Sequence, residues 1–203
     1  MKILQFPNGP IESNCYLIET DNALILIDPS VPMSVLPEFK KPMKAIIITH
    51  CHYDHISCLD EIREKTKAPV YCHPTEFPAF ADVVRNASTF FMMDKKYSVP
   101  DHKAEEGDIL EIDARTTLRF LHTPGHTLGS ICILLSEDKK DIALFTGDTL
   151  FQGSAGRTDL GGSPILLKQS LLRLRQLDNS ILVYSGHGPN TTIGEEKQNN
   201  PFM

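Results

Sequence analysis

The sequence contains no C-x-x-C pair, no apolar run long enough to cross a membrane and no cluster of basic residues. Its five cysteines are an odd number, which favours reduced thiols in the cytoplasm over a disulfide framework. The opening stretch MKILQFPNGP has no extended apolar core of a signal peptide. A net charge of −6 without a stripe of Lys and Arg argues against nucleic acid as a partner. We therefore expect a soluble cytoplasmic protein with neither a membrane nor a nucleic-acid partner.

The length of 203 residues suits one sizeable domain, and we expect a single domain over residues 1–203. Short apolar runs separated by turn residues are typical of β-strands. The first three runs are expected to form a meander. The predicted strands are, in chain order, KILQF, NCYLIET, ALILID, KAIIITH, APVYCH, GDILEI, TTLRFLH, GSICILLS, DIALFTGD and SILVYSGHG.

Three segments have helical patterns. In the first, Leu59 and Ile62 share one face and acidic residues occupy another. The last begins with Ser163 and Pro164, which suit the N-cap and the first turn of a helix. The predicted helices cover residues 56–66, residues 75–84 and residues 163–177.

Residues 87–105 are expected to form a loop, and the tail after Thr192 is polar. Neither segment contains a predicted helix or strand. The order of the remaining elements is strands, a helix, more strands and a closing helix. This order favours two sheets that pack against each other with helices outside.

The stretch ITHCHYDHIS concentrates side chains that bind metals, namely His50, His52, Asp54 and His55. His50 and His52 are two residues apart, so in an extended segment their side chains point the same way. Asp54 and His55 follow where the chain turns into the predicted helix. Protonated imidazoles this close would repel one another, whereas a metal ion needs neutral imidazole and carboxylate ligands. The pattern predicts two pairs of ligands for two adjacent ions, with Cys51 as a small buried residue on the opposite side.

Three further polar residues follow predicted strands in the second half of the chain. His126 lies in the Pro-Gly turn of HTPGHT, Asp148 follows the apolar run IALF, and His187 follows ILVY. Adjacent glycines allow the backbone to approach closely at these points. The seven residues are candidate ligands of two divalent ions. The other histidines, His73, His102 and His122, are interpreted as surface or capped residues, with His73 also a candidate to support the ligands.

The order T-H-x-H-x-D-H, followed by a His, an Asp and a His, resembles the metallo-β-lactamase superfamily. The resemblance covers nearly the whole chain through NCYLIE, LIDP, THCHYDH, HTPGHT, TGDTLF and SGHG. It implies an α+β fold, a four-layer αββα sandwich of two mixed sheets packed face to face with helices outside. It also implies how the ligands are shared: His50, His52 and His126 for metal 1, Asp54, His55 and His187 for metal 2, and Asp148 bridging both.

Asp148 and its surroundings narrow the choice within the superfamily. True β-lactamases usually have Cys or Ser at the corresponding position, so the resemblance disfavours antibiotic degradation. TGDTLF and GRTD resemble the glyoxalase II-like branch and its relatives, the persulfide dioxygenases. The sequence ends soon after His187 and so lacks the helical C-terminal region with which glyoxalase II holds glutathione. It therefore looks most like the short glyoxalase II-like hydrolases (hydroxyacylglutathione hydrolase-related), with the thiol carrier and the acyl group left open.

The resemblance implies a hydrolase that cleaves a thioester by a metal-bridging hydroxide. Two divalent ions are expected as cofactors, zinc first, with iron or manganese as alternatives. Asp54 and Asp148 are the expected catalytic residues. A thiolate leaves without a dedicated proton donor because a thiol has a pKa of about 8.5. The expected substrate is a small molecule, an anionic thioester.

Two other functions remain open from the sequence. In the first, His50, His126 and Asp148 would form the two-His-one-carboxylate face of a mononuclear Fe(II) oxygenase, similar to a persulfide dioxygenase. The second is a metal-stabilised binding protein without catalysis. Metal content and oxygen consumption separate the hydrolase from the oxygenase.

Arg157 is a candidate for substrate binding. It lies in the Gly-rich stretch GSAGRTD, at the place of a lysine that contacts glutathione in glyoxalase II. An arginine can hold a carboxylate with two parallel hydrogen bonds. The alternative is that Arg157 pairs with Asp159 and braces the loop.

Overall fold

All five strands predicted in the first half of the chain are present in the computed structural model, which describes residues 1–203. A short sixth strand forms within the segment that was predicted to be a loop. The strands are β1 (Lys2–Phe6), β2 (Cys15–Glu19), β3 (Leu24–Ile27), β4 (Met43–Ile47), β5 (Val70–Cys72) and β6 (His102–Lys103).

These strands form one mixed sheet in the order β1-β2-β3-β4-β5-β6. The first three pair antiparallel, as the predicted meander requires, and β3 to β6 pair parallel. The sheet belongs to the first of two compact units, Met1–Ala104 and Glu105–Met203. Successive residues of β4, such as Ile46 and Ile47, are both fully buried. A strand buried on both faces explains why its sequence is a continuous apolar run instead of an alternating one.

The helices of the first unit are α1 (Tyr53–Ile56), α2 (Leu59–Thr66) and α3 (Phe77–Phe80). The predicted helix over residues 56–66 is thus divided. The N–H of Cys58 donates to the carbonyl of Pro29 at 3.0 Å instead of continuing a helical ladder. Leu59 and Ile62 are fully buried, as predicted.

The helix predicted over residues 75–84 is shorter than expected. Pro74–Glu76 forms a 3₁₀ turn, and α3 ends at Phe80. Beyond α3, the Asp82 carboxylate accepts from the N–H groups of Val84 and Arg85 at 3.0 and 3.2 Å. Such local side-chain acceptors compete with helical hydrogen bonds, which explains the early end.

The second unit contains another mixed sheet, in the order β14-β13-β10-β9-β8-β7. Only β10 and β13 pair parallel. A separate two-stranded hairpin, β11 with β12, was not predicted. The strands are β7 (Ile109–Glu111), β8 (Thr116–His122), β9 (Ile131–Glu137), β10 (Lys140–Gly147), β11 (Leu150–Phe151), β12 (Ser154–Ala155), β13 (Leu182–Ser185) and β14 (Thr191–Thr192).

Two helices complete the second unit. The predicted one, α4 (Pro164–Leu174), begins where expected: the Ser163 hydroxyl accepts from the N–H of Leu166 at 3.4 Å. The other, α5 (Ile193–Asn199), replaces the polar tail in which no element was predicted. None of the five α-helices combines the length and the apolar character that crossing a bilayer requires.

Candidate metal centre

The first unit carries four candidate ligands on one short stretch. His50 and His52 lie in the extended chain after β4, and Asp54 and His55 lie in α1. The ring centroid of His50 is 4.7 Å from that of His52 and 4.3 Å from that of His55. Ligand atoms of His50 and His52, of His50 and His55, and of Asp54 and His55 lie within 4.8 Å of each other. The four side chains therefore form one buried cluster that can bind metal, as their spacing predicts.

Cys51 lies between two of these residues but belongs to the hydrophobic core. Its thiol is fully buried, and this burial raises its pKa well above the usual value. Its N–H donates to the Glu76 carboxylate at 2.8 Å. A buried thiol is a poor nucleophile because only the thiolate attacks. The interpretation of Cys51 as a small core residue agrees with these observations.

Asp28 orients two of the histidines in the first unit. Its Oδ2 accepts from Nδ1 of His55 at 2.9 Å and from the Thr49 hydroxyl at 2.7 Å. Since the Thr49 hydroxyl gives its hydrogen to Asp28, it accepts in turn from Nδ1 of His50 at 3.0 Å. Each imidazole thus carries its hydrogen on Nδ1, which leaves the lone pair of Nε2 for a metal.

Asp28 was not recognised from the sequence as a site residue, although LIDP was noted as part of the family resemblance. It directly follows the buried strand β3, where a carboxylate needs hydrogen-bonding partners. Its backbone has φ 52°, in the left-handed region. The sequence signal that could have identified it is its position directly after the apolar run ALILI, which resembles the position of Asp148.

The second unit carries the other three candidate ligands, on three separate segments. His126 lies in the turn between β8 and β9, Asp148 follows β10, and His187 follows β13. Oδ2 of Asp148 is 3.5 Å from Nε2 of His126 and 3.7 Å from Nε2 of His187. One carboxylate thus faces both imidazoles through the nitrogens that would bind metal, so these three side chains form a second cluster able to bind metal.

Backbone groups hold His126 in place. Its Nδ1–H donates to the carbonyl of Arg157 at 2.7 Å, which again leaves Nε2 as the ligand atom. Two glycines allow the chain to pack this closely. A Cβ on Gly156 would lie 1.8 Å from the Asp148 carbonyl, and one on Gly162 would lie 2.4 Å from the His126 carbonyl.

The donor types of both clusters suit a metal ion. Imidazole nitrogen and carboxylate oxygen are the ligands that zinc and iron share. His50, His52, His55 and His126 are at most 4% exposed, and each imidazole with an identified Nδ1 partner presents Nε2. Several buried imidazoles aligned in this way match the requirement that metal ligands be neutral and oriented.

The Arg157 side chain makes the contact that was predicted as the alternative to substrate binding. Its Nε donates to Oδ1 of Asp159 at 2.6 Å, and its Nη2 donates to Oδ2. These hydrogen bonds lower the pKa of Asp159 to about 2. Both side chains are 63% exposed. The ion pair is therefore open to solvent and to any ligand that competes with Asp159.

The three remaining histidines make structural contacts. His73 Nδ1 accepts from the N–H of Thr75 at 3.3 Å, as an N-cap does. The His102 ring stacks on Tyr71 at 4.8 Å, and His122 Nε2 donates to the carbonyl of Leu128 at 3.0 Å.

Comparison with known proteins identifies the family. The model of the metallo-β-lactamase superfamily matches residues 8–187. A probable metallo-hydrolase, YqgX of Bacillus subtilis, is 37% identical over all of this chain and 98% of its own length. The chain belongs to the metallo-β-lactamase superfamily. Another member, the hydroxyacylglutathione hydrolase GloC of Haemophilus influenzae, is 34% identical over all of this chain and 98% of its own length.

Solved structures confirm the predicted metallo-β-lactamase fold. The B3 metallo-β-lactamase BLEG-1 matches with a TM-score of 0.88 and 36% identity over 99% of both chains. TTHA1623 in a di-iron-bound form matches with a TM-score of 0.85 and 34% identity over 98% of this chain and all of the other. The superfamily and its hydrolase members thus agree with the resemblance seen in the sequence.

Proposed function

We propose that this superfamily member is a dinuclear metal-dependent hydrolase that cleaves a thioester of a small acidic molecule. The observation that carries the proposal is the orientation of the imidazoles: His50, His55 and His126 each direct Nδ1–H to an acceptor and present Nε2. The 34% identity to a hydroxyacylglutathione hydrolase supports the reaction class.

We assign the two metal positions as the family resemblance implies. One ion would be bound by His50, His52 and His126, and a second by Asp54, His55 and His187. Asp148 would bridge them, and its position between the Nε2 atoms of His126 and His187 supports this role. Zinc is the first candidate for both positions, with iron or manganese as alternatives.

When bound, two divalent ions would make a water molecule nucleophilic at neutral pH and would polarise the acyl carbonyl. The chain's own catalytic contribution would come from Asp54 and Asp148. Oδ2 of Asp54 lies 3.3 Å from Nε2 of His55, so this carboxylate can ligate and accept a hydrogen bond from the nucleophile at the same time. No cysteine is needed as the nucleophile, because burial raises the pKa of all five thiols, those of Cys15, Cys51, Cys58, Cys72 and Cys132.

We further propose that Arg157 binds the remote carboxylate of the substrate, which replaces Asp159 as its partner. An ion pair between exposed side chains contributes little to stability because solvent screens it, so a substrate carboxylate can displace Asp159 at little cost. Arg157→Ala should then raise KM for an anionic thioester and leave kcat nearly unchanged. An equal loss for anionic and neutral thioesters would show that the Arg157–Asp159 pair only braces the loop.

The proposed reaction is tested by three assays on metal-loaded protein. Turnover of S-lactoylglutathione and of glutathione-free thioesters is expected, together with its loss on metal removal. Hydrolysis of a β-lactam is included because BLEG-1 is named a B3 metallo-β-lactamase. Thioester turnover no faster than the background rate, with efficient β-lactam hydrolysis, would overturn the proposal.

A second candidate is a mononuclear Fe(II) oxygenase, and its support is that a relative, TTHA1623, binds iron, although that form holds two ions. In that case His50, His126 and Asp148 would hold Fe(II). Oxygen consumption with a persulfide by the iron-loaded protein, without thioester turnover, would identify this function.

A further inference from the structure

A buried carboxylate in the C-terminal helix joins two segments of the second unit that flank candidate ligands. Glu196, in α5, is 1% exposed. Its Oε1 accepts from the Thr191 hydroxyl at 2.7 Å, and its Oε2 accepts from the N–H of Gly153 and from Nδ2 of Asn200, both at 2.8 Å. Burying a carboxylate is unfavourable unless its oxygens are satisfied, and here three neutral donors satisfy them.

The partners of Glu196 belong to the two segments that flank the candidate ligands. Thr191 begins β14, at the end of the loop that carries His187. Gly153 is in the turn of the β11–β12 hairpin, which begins two residues after Asp148. Glu196 thus fixes the distance between the His187 loop and the hairpin.

Asn200, the residue after α5, reinforces this connection. Its Nδ2 also donates to the carbonyl of Ser154 at 2.9 Å and to that of Phe151 at 3.3 Å. Asn200 is 6% exposed. Both residues of this C-terminal clamp, Glu196 and Asn200, therefore hold the same hairpin.

The hairpin in turn supports the ring of His187. The Phe151 ring meets the His187 ring edge-on, with centroids 6.1 Å apart and an interplanar angle of 77°. The backbone of His187 is held by the Ser185 hydroxyl, which donates to its carbonyl at 2.7 Å. His187 has a side chain that is 23% exposed, against 2% for His126. An exposed imidazole has more freedom to rotate. The contact with the Phe151 ring therefore determines how often His187 points toward a metal.

We propose that Glu196 is a positioning residue for the metal centre: by tying the Phe151 hairpin to the His187 loop, it holds His187 in the orientation that binds metal. The inference rests on the proposed metal site, but it assigns to α5 a role beyond packing. Glu196 acts through Gly153, Phe151 and Thr191 and touches no substrate.

The test compares two substitutions that differ only in position on α5. Glu196→Gln keeps the size of the side chain but places an amide N–H₂ group among three donors. Glu195→Gln is the matched control, because Glu195 is exposed and its side chain accepts a hydrogen bond from Asn199 Nδ2 of the same helix, at 2.7 Å. Zinc affinity is measured by competition with a chromogenic chelator, and ligand geometry is measured from the visible spectrum of the cobalt-loaded protein.

We expect the weaker-bound ion to lose about tenfold in affinity in Glu196→Gln, with a changed cobalt spectrum, and Glu195→Gln to behave like the wild type. Unchanged zinc affinity and spectrum in Glu196→Gln, with only a lower Tm of the metal-free protein, would overturn the proposal and leave a purely structural role.

A second variant keeps the inference testable if Glu196→Gln does not fold. Phe151→Leu removes the ring that contacts His187 and leaves the bonds of Glu196 intact, so it should weaken the same ion. Wild-type affinity in Phe151→Leu would refute the positioning role. These readouts need no substrate, so failure of the proposed reaction would appear separately, as intact metal binding without thioester turnover.

Discussion

The two candidate ligand clusters, one in each unit, are built in different ways. In the first unit, four ligands lie within six consecutive residues of one chain segment, and a single carboxylate, Asp28, orients two of them. In the second unit, His126, Asp148 and His187 come from three segments and are held by a backbone carbonyl, close glycine contacts and an aromatic edge. The geometry of the first cluster therefore depends on side-chain hydrogen bonds, whereas that of the second depends on how closely backbone segments approach each other.

This difference predicts how each cluster responds to substitution. Removing one hydrogen-bonding group in the first unit should weaken metal binding while the fold survives. Adding one methyl group at a close backbone contact in the second unit should disturb the fold itself. The following substitutions test that contrast, from the largest expected effect to the smallest.

Gly156→Ala should be the most damaging. Its new Cβ would lie 1.8 Å from the Asp148 carbonyl and 3.2 Å from His126 Cβ, so the backbone that carries two ligands must move. We expect a loss of about 3 kcal/mol in the free energy of unfolding, measured by urea denaturation. Gly161→Ala is the control: its φ of 93° makes alanine strained, but nothing lies within 4 Å. It should lose about 1 kcal/mol, and equal losses for both would refute the clash.

Asp28→Asn should mainly affect metal binding. Asparagine tolerates the left-handed backbone at this position but cannot accept hydrogen bonds on both sides as the carboxylate does. We expect zinc affinity to fall by about 10–100-fold in chelator competition. Asp21→Asn, an exposed aspartate at the turn before β3, should leave the affinity unchanged. Wild-type affinity in Asp28→Asn would show that Asp28 does not orient His50 and His55.

Thr49→Val tests the contact of Asp28 with His50 without changing its contact with His55. Valine keeps the shape but removes the hydroxyl between Asp28 and His50, and it leaves the direct bond from Asp28 to His55. We expect a loss of about 1 kcal/mol in metal-binding free energy, smaller than for Asp28→Asn. Combining both substitutions should add little, because they break the same chain of hydrogen bonds. Full additivity would mean that Thr49 and Asp28 act independently.

Glu106→Gln should have the smallest effect, since its hydrogen-bond partners, Arg173 and the N–H of His122, include no candidate ligand. Hydrogen bonds from Arg173 hold the pKa of Glu106 below its usual value. A lowered folded-state pKa stabilises the fold above the unfolded pKa of about 4.3, and the stabilisation is lost as pH falls through the folded value. Because both side chains are nearly half exposed, the difference at pH 7 should stay below about 0.5 kcal/mol. A difference that grows on acidification would contradict this sign.

The contrast between the two clusters also explains what the sequence could predict. The cluster at positions 50 to 55 is visible as a motif because its ligands are neighbours in the chain. His126, Asp148 and His187 were identified only by their positions after predicted strands and by the family resemblance. The Arg157 carbonyl that supports His126 and the close approach of Gly156 could not be predicted, since backbone contacts between distant segments leave no residue-type pattern.

Two features of the fold were not predicted, and only one of them has a local sequence signal. The α5 helix has a readable start, because Thr192 accepts from the N–H of Glu195 at 3.0 Å, and Thr-x-x-Glu is a capping-box pattern. The break between α1 and α2 had no such signal. It depends on the Cys58 N–H bonding to Pro29, which is distant in the sequence.

The central proposal is that the seven candidate ligands bind two metal ions, with Asp148 common to both. Elemental analysis of zinc-loaded, desalted protein tests it most directly. The wild type should retain about two ions per chain, and Asp148→Asn should lose occupancy at both positions. A wild type that retains at most one ion, or an Asp148→Asn variant that still retains two, would contradict the account.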